Sequence, residues 1–124
     1  MRVLIVDDDP VFRNPLRATL AVKGFEVRTA DSAEAAESVL AHDAVDVVLS
    51  DIGLPGIDGL TLAGRHPDIP FVLMTGSPPP ESPAPRSARP APARLVKPFE
   101  PSDVVAMLHE AVQRHRCSAP AGER

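Results

Sequence analysis

This chain has no tryptophan and no tyrosine, only four phenylalanines and a single cysteine among its 124 residues. The lone Cys117 excludes an intrachain disulfide, so burial of apolar surface must hold the fold together. It also fits a reducing, cytoplasmic setting. A basic excess is missing too: the net charge is -4, which argues against nucleic-acid binding by this domain. No apolar run approaches the ~18 residues of a membrane span, and the first one ends in carboxylates after four residues, unlike a secretory signal. Neither a membrane partner nor a leader is therefore expected. With 44% apolar residues, the chain has the composition of one globular domain able to bury its own core.

What it does have is a regular alternation of strand and helix patterns. Residues 2–6 (RVLIV) form a continuous β-branched run, as in a strand covered on both faces. Asp9-Pro10 reads as a helix cap followed by proline at the first helical position. The helix is expected to reach about Lys23, with Val11, Leu16 and Leu20 inward and Gly24 as its stop. Pro15 predicts a kink or a late start.

A strand over Phe25–Thr29 follows, then a helix capped by Asp31-Ser32 that runs to about His42 with Ala36, Val39 and Leu40 buried. Val45–Ser50 is a third apolar strand ending at Asp51, and Leu54–Gly59 is a turn-rich loop. Leu60–His66 leaves room for two helical turns before Pro67. Pro70–Thr75 and Leu95-Val96 complete the strands. Pro101-Ser102-Asp103 opens a last helix, with Val104, Val105, Leu108 and Val112 on one face and Arg114, His115 and Arg116 in its final turn. Such alternation means parallel βαβ units in a doubly wound α/β sheet.

Prolines are the abundant exception, 15 in all. Seven of them fall in residues 78–92 and leave no gap longer than four residues, so no useful α-helix can form there. A loop of polyproline II character is expected in its place. The domain is expected over 1–117, with 118–124 as a flexible tail.

In open parallel sheets, ligands bind at the carboxyl ends of the strands. Asp7 and Asp8 follow the first strand and Asp51 follows the third. If those strands are neighbours, three carboxylates converge. Their repulsion is costly unless a cation binds or protons are retained. Oxygen-only ligands on short loops suit Mg2+. Thr75 adds a hydroxyl at the end of the fourth strand and Lys97 an ammonium at the end of the fifth. Carboxylate acceptor, metal, hydroxyl and ammonium together suit phosphoryl transfer onto an aspartate.

The segments VLIVDDD, VVLSDIGLPGIDG, FVLMTGS and LVKPF resemble the receiver domain of two-component response regulators, from residue 2 to about 116. The resemblance implies a flavodoxin-like (βα)5 three-layer sandwich, with a five-stranded parallel sheet in the order 2-1-3-4-5. It implies that Asp51 accepts a phosphoryl group from the phosphohistidine of a sensor histidine kinase or phosphotransfer protein. By the same likeness Asp8 binds Mg2+ directly and Asp7 through water, and the Gly53 carbonyl completes the protein ligands. Thr75 contacts a phosphoryl oxygen and couples phosphorylation to a loop shift. Lys97 pairs with the phosphoryl group and precedes a cis Pro98. The output is then a protein–protein contact with a downstream partner, with no enzymatic activity beyond phosphorylation and dephosphorylation at Asp51.

The chain departs from the family at three places, one of them a short third helix. Arg94 stands where an aromatic switch residue is usual, and the proline-rich segment replaces the fourth helix. A sheet face left without its helix favours a homodimer. Two other functions are open to this sequence. One is a phosphorylation-independent pseudo-receiver, an interaction module. The other is a haloacid-dehalogenase-like phosphatase, because Asp7-Asp8-Asp9-Pro10-Val11 also matches the opening in which an aspartate, here Asp7, is the nucleophile.

Overall fold

The computed structural model describes the backbone of residues 1–54, 56–75, 93–96 and 99–118, and their side chains except at 93 and 116–118. The proline-rich segment 78–92, Lys97, Pro98 and residues 119–124 lie outside the described residues. The expectations of a replaced fourth helix, a cis Pro98 and a flexible tail fall there.

Five strands, β1 (Arg2–Val6), β2 (Glu26–Ala30), β3 (Val47–Asp51), β4 (Phe71–Thr75) and β5 (Ala93–Val96), pair in parallel in the order β2-β1-β3-β4-β5. Their side chains alternate between two cores. Val3, Ile5, Val47, Leu49, Val72 and Met74 join the core on one face, which includes Leu16, Leu20, Val104 and Leu108. Leu4, Val6, Val48, Phe71 and Leu73 join the other, with Ala33, Ala36 and Leu62. The first set of helical residues belongs to α1 (Pro10–Val22) and α4 (Pro101–Ser118), the second to α2 (Ala33–His42) and α3 (Gly59–Arg65). Period-2 alternation under two helical layers explains why β1 is apolar at every position after Arg2. The result is the flavodoxin-like three-layer sandwich. Among the described residues, no helix is long and apolar enough to cross a membrane.

The caps are set by short polar side chains. The Asp9 carboxylate accepts from the Val11 N–H at 3.0 Å, and Ser32 Oγ accepts from Ala35 N–H at 3.1 Å. At the other end of α1, Gly24 takes φ +98° as Phe25 N–H closes on Leu20 C=O at 3.1 Å, the glycine-ended stop that the sequence predicts.

For α1, the late-start alternative at Pro15 and the inward placing of Val11 are corrected. The helix does not start late: it runs from Pro10 through Pro15. Asp9 supplies its carboxylate to Val11 and its carbonyl to Arg13, so the first turn is already built upstream of the proline. Val11 does not face inward but is 80% exposed. The inward row is half-buried Phe12 followed by buried Leu16 and Leu20, spaced by four, and Val11 lies about 100° around the helix from Phe12. Of the α2 residues, Ala36 is buried while Val39 and Leu40 are half-buried. β5 starts two residues earlier than expected and includes Arg94, which pairs in register with Leu73. Ser118, expected in the tail, is the last residue of α4.

Candidate functional site at the carboxyl edge of the sheet

Because β1 and β3 are neighbours, with Val6 opposite Ser50, the residues that follow them meet. Asp7, Asp8 and Asp51 each offer a carboxylate oxygen within 4.8 Å of the others. Thr75 ends β4 on the same edge, one residue beyond the Asp51–Met74 pair. Gly53 is exposed in the turn just past β3. The predicted site residues are thus brought to one edge, apart from Lys97, which lies outside the described residues.

The three carboxylates differ in setting. Asp7 is fully buried, Asp51 half-buried and Asp8 exposed. Asp7 is anchored through its whole peptide frame. Its N–H donates to Ala30 C=O at 3.1 Å, extending the β1–β2 ladder, and one carboxylate oxygen accepts from Asp9 N–H at 2.9 Å. Its carbonyl accepts from the Arg13 guanidinium at 2.7 Å.

On the β3 side, Ile52 N–H continues the ladder onto Met74 C=O at 3.0 Å. The Ile52 carbonyl takes two donors, Leu54 N–H at 3.0 Å and Gly59 N–H at 2.9 Å, which folds the 52–59 loop back on the end of the strand. Asp58 caps α3 by accepting from Thr61 N–H at 2.7 Å. Hydrogen bonds from the Thr61 backbone and hydroxyl hold this carboxyl below the usual carboxylate range. Gly59 is required at its position: a Cβ there would stand 3.1 Å from Ile52 Cα and closer still to the Asp51 carbonyl.

The donor set fits a hard divalent cation. Oxygens bound to one Mg2+ at ~2.1 Å lie at most ~4.2 Å apart. Carboxylate oxygens that lie within 4.8 Å of one another are near enough to share one such ion, directly or through its water shell. Mg2+, with its retained water shell, accepts that arrangement.

Sequence reasoning missed Arg13, Asp58 and Gly59 as parts of this edge. Asp58 was legible in principle, since Asp-Gly before the apolar pair Leu60 and Leu62 is a cap signal. Nothing in the local pattern marks Arg13, because its contact depends on how α1 returns over the end of β1.

A parallel sheet of this order, with an acidic cluster at the β1/β3 edge, defines a class: doubly wound domains that carry their chemistry at the strand ends. The comparisons make the assignment specific. Residues 3–109 match the family model of the response regulator receiver domain, and the chain belongs to that family. It is 40% identical over 118 residues to the response regulator protein FleR of Pseudomonas aeruginosa, covering 92% of this chain and 24% of FleR. It is 33% identical to the DNA-binding transcriptional regulator NtrC of Salmonella typhimurium, over 92% of this chain and 25% of that protein. The chain thus spans about a quarter of the length of these curated relatives.

Among solved structures, it superposes on the signal receiver domain of an HD domain-containing protein from Pseudomonas fluorescens with TM-score 0.79 and 25% identity, covering 94% of this chain and 98% of the other. A CheY-like receiver from Methanospirillum hungatei gives TM-score 0.76 at 24% identity, over 95% and 98% of the two chains, and supports the fold. The family match sets aside the dehalogenase-like reading of Asp7. Its burial and its bond from Asp9 N–H also suit a fixed ligand better than an attacking nucleophile.

Proposed function

We propose that this domain is a phosphoacceptor of a two-component phosphorelay, taking a phosphoryl group from a histidine kinase or phosphotransfer protein onto Asp51. The observation that carries the reading is the convergence of Asp7, Asp8 and Asp51 within 4.8 Å at the meeting of β1 and β3. Asp51, half-buried at the end of a rigid strand, offers a carboxylate oxygen to the incoming phosphorus. The displaced imidazole of the donor leaves with the bonding electron pair.

Asp8, Asp51 and the Gly53 carbonyl would hold Mg2+ directly, with Asp7 acting through water. The ion supplies charge neutralisation to the phosphoryl oxygens. Thr75, at the neighbouring strand end, would donate its hydroxyl to one phosphoryl oxygen, and Lys97 would pair with another. The signal would leave through contacts with a downstream protein, from a cytoplasmic domain spanning 1–117. That the relatives FleR and NtrC are named as regulators agrees with such an output. The expected homodimer rests on segment 78–92, which lies outside the described residues.

One observation favours a second reading. Arg94 occupies β5 half-buried at the position of the usual aromatic switch residue, so the domain could serve as a phosphate-independent interaction module. Incubation with acetyl phosphate and Mg2+, followed by intact mass measurement, separates the two. A single phosphoryl adduct that requires Mg2+ and disappears in Asp51→Asn is expected. An unmodified wild type would support the interaction module.

A further inference from the structure

We infer that Arg13 is a positioning residue for the Mg2+ site, acting through the peptide group that joins Asp7 to Asp8. The inference rests on the metal-dependent reading above and extends it to a side chain outside the acidic set.

The Arg13 guanidinium donates to the Asp7 carbonyl at 2.7 Å. That carbonyl is one end of a planar peptide unit whose other end is the Asp8 N–H. Fixing the oxygen fixes the plane, and the plane sets ψ of Asp7 and φ of Asp8. The direction in which the Asp8 side chain leaves the chain follows from those angles. Asp7 needs little help of its own: it is buried, its N–H is tied to Ala30 and its carboxylate to Asp9 N–H. Asp8 is exposed, and no such set of bonds is found for it among the described residues. Its orientation toward Asp51 is inherited from the peptide that Arg13 clamps.

Arg13 is in turn fixed at its base, because its own N–H donates to Asp9 C=O at 2.9 Å in the first turn of α1. Half-buried, it links the start of the helix to the end of the strand across the turn that bears both carboxylates. Contacts of this outer kind commonly decide metal affinity because they hold the ligands in place.

A cation near a metal site has a second effect of opposite sign. Simple charge repulsion would make Arg13 weaken Mg2+ binding, so its removal would tighten it. The two effects can therefore be told apart by direction.

The test is calorimetric titration of the full chain with Mg2+ in the absence of any phosphodonor, for wild type, Arg13→Met and Arg13→Gln, with the adduct assay run alongside. Arg13→Met, lacking a donor, should raise the dissociation constant about tenfold, the low end for outer-shell partners. Arg13→Gln, a neutral donor two bonds shorter than the Nη that makes the contact, should bind with an affinity between those of Arg13→Met and wild type. Adduct yield at saturating Mg2+ should stay near wild type in both. Equal or tighter binding by Arg13→Met overturns the proposal and leaves Arg13 a bystander charge. If Arg13→Met loses its cooperative melt, Arg13→Ala, with better helix propensity, takes its place with the same two outcomes. A wild type that binds Mg2+ but forms no adduct removes the phosphoacceptor reading while leaving this test intact. A wild type that binds no Mg2+ overturns both.

Discussion

The two ends of the β-sheet treat charge in opposite ways. At the amino end, Arg2 is paired with acceptors from three neighbouring segments. Its guanidinium meets Glu26 at 2.9 Å and the Ala44 carbonyl at 3.0 Å, and its N–H donates to Asp46 at 2.7 Å. Glu26 is held below the usual carboxylate range by the hydrogen bond from Arg2. At the carboxyl end, three like charges are drawn within 4.8 Å by strands that cannot move apart without breaking the sheet. Opposite charges close the first end, whereas the second gathers carboxylates whose mutual repulsion a bound cation would relieve. Stability is built at one edge and binding capacity at the other.

Disturbing the backbone under the acidic end should cost most. Gly59→Val would drive Cβ into the backbone of Asp51 and Ile52, and overpacking of this kind costs about 1–3 kcal/mol. Denaturant unfolding should show that loss together with a lower adduct yield, because Asp51 itself is displaced. An unchanged yield would mean that the 52–59 loop moves independently of the acceptor.

Asp8→Asn should act in two directions at once. Removing one of three carboxylates within 4.8 Å should stabilise the metal-free protein by up to about 1 kcal/mol, the Coulomb scale for such a spacing near water. Added Mg2+ should raise the melting temperature of the wild type but not that of the variant. Destabilisation of the metal-free protein would show that the cluster is not a store of repulsion.

Asp58→Ala should cost about 1 kcal/mol through loss of the α3 cap, with a definite pH dependence. The folded carboxyl titrates below its ordinary value, so its stabilising effect is complete above the usual carboxylate range and is lost as pH falls through the folded value. Wild type and variant should differ at neutral pH and converge in acid. A difference independent of pH would assign the effect to helix propensity alone.

The smallest effect is expected at the amino end. Arg2→Met should lower thermal stability modestly, by an amount that salt reduces, and leave phosphorylation unchanged. A fall in adduct yield would mean that the two edges are coupled through β1.

The contrast between the ends was only half legible in the sequence. The acidic end could be read because its residues close continuous apolar strands. VLIV runs into Asp7 and Asp8 and VVLS into Asp51, and strand adjacency supplies the rest. The amino end was missed, since Arg2, Glu26 and Asp46 look like scattered surface charges until the sheet order brings them together. Val11 was misassigned because an apolar residue beside a cap looks like core, although the row that packs on the core starts at Phe12. The Arg13 clamp was invisible for a related reason: a side chain bonding to a backbone carbonyl six residues back leaves no periodic trace. Sequence patterns report faces and ends, whereas links between a helix and the strand before it depend on packing.

The most direct test of a metal-loaded carboxyl edge is a Mg2+ titration of the ¹⁵N-labelled protein followed by amide NMR shifts. Saturable shifts clustered at Asp7–Asp9, Asp51–Gly53 and Thr75, with Arg2, Glu26 and Asp46 silent, are predicted. Shifts absent from the β1 and β3 ends, or spread equally over both edges of the sheet, would contradict the account.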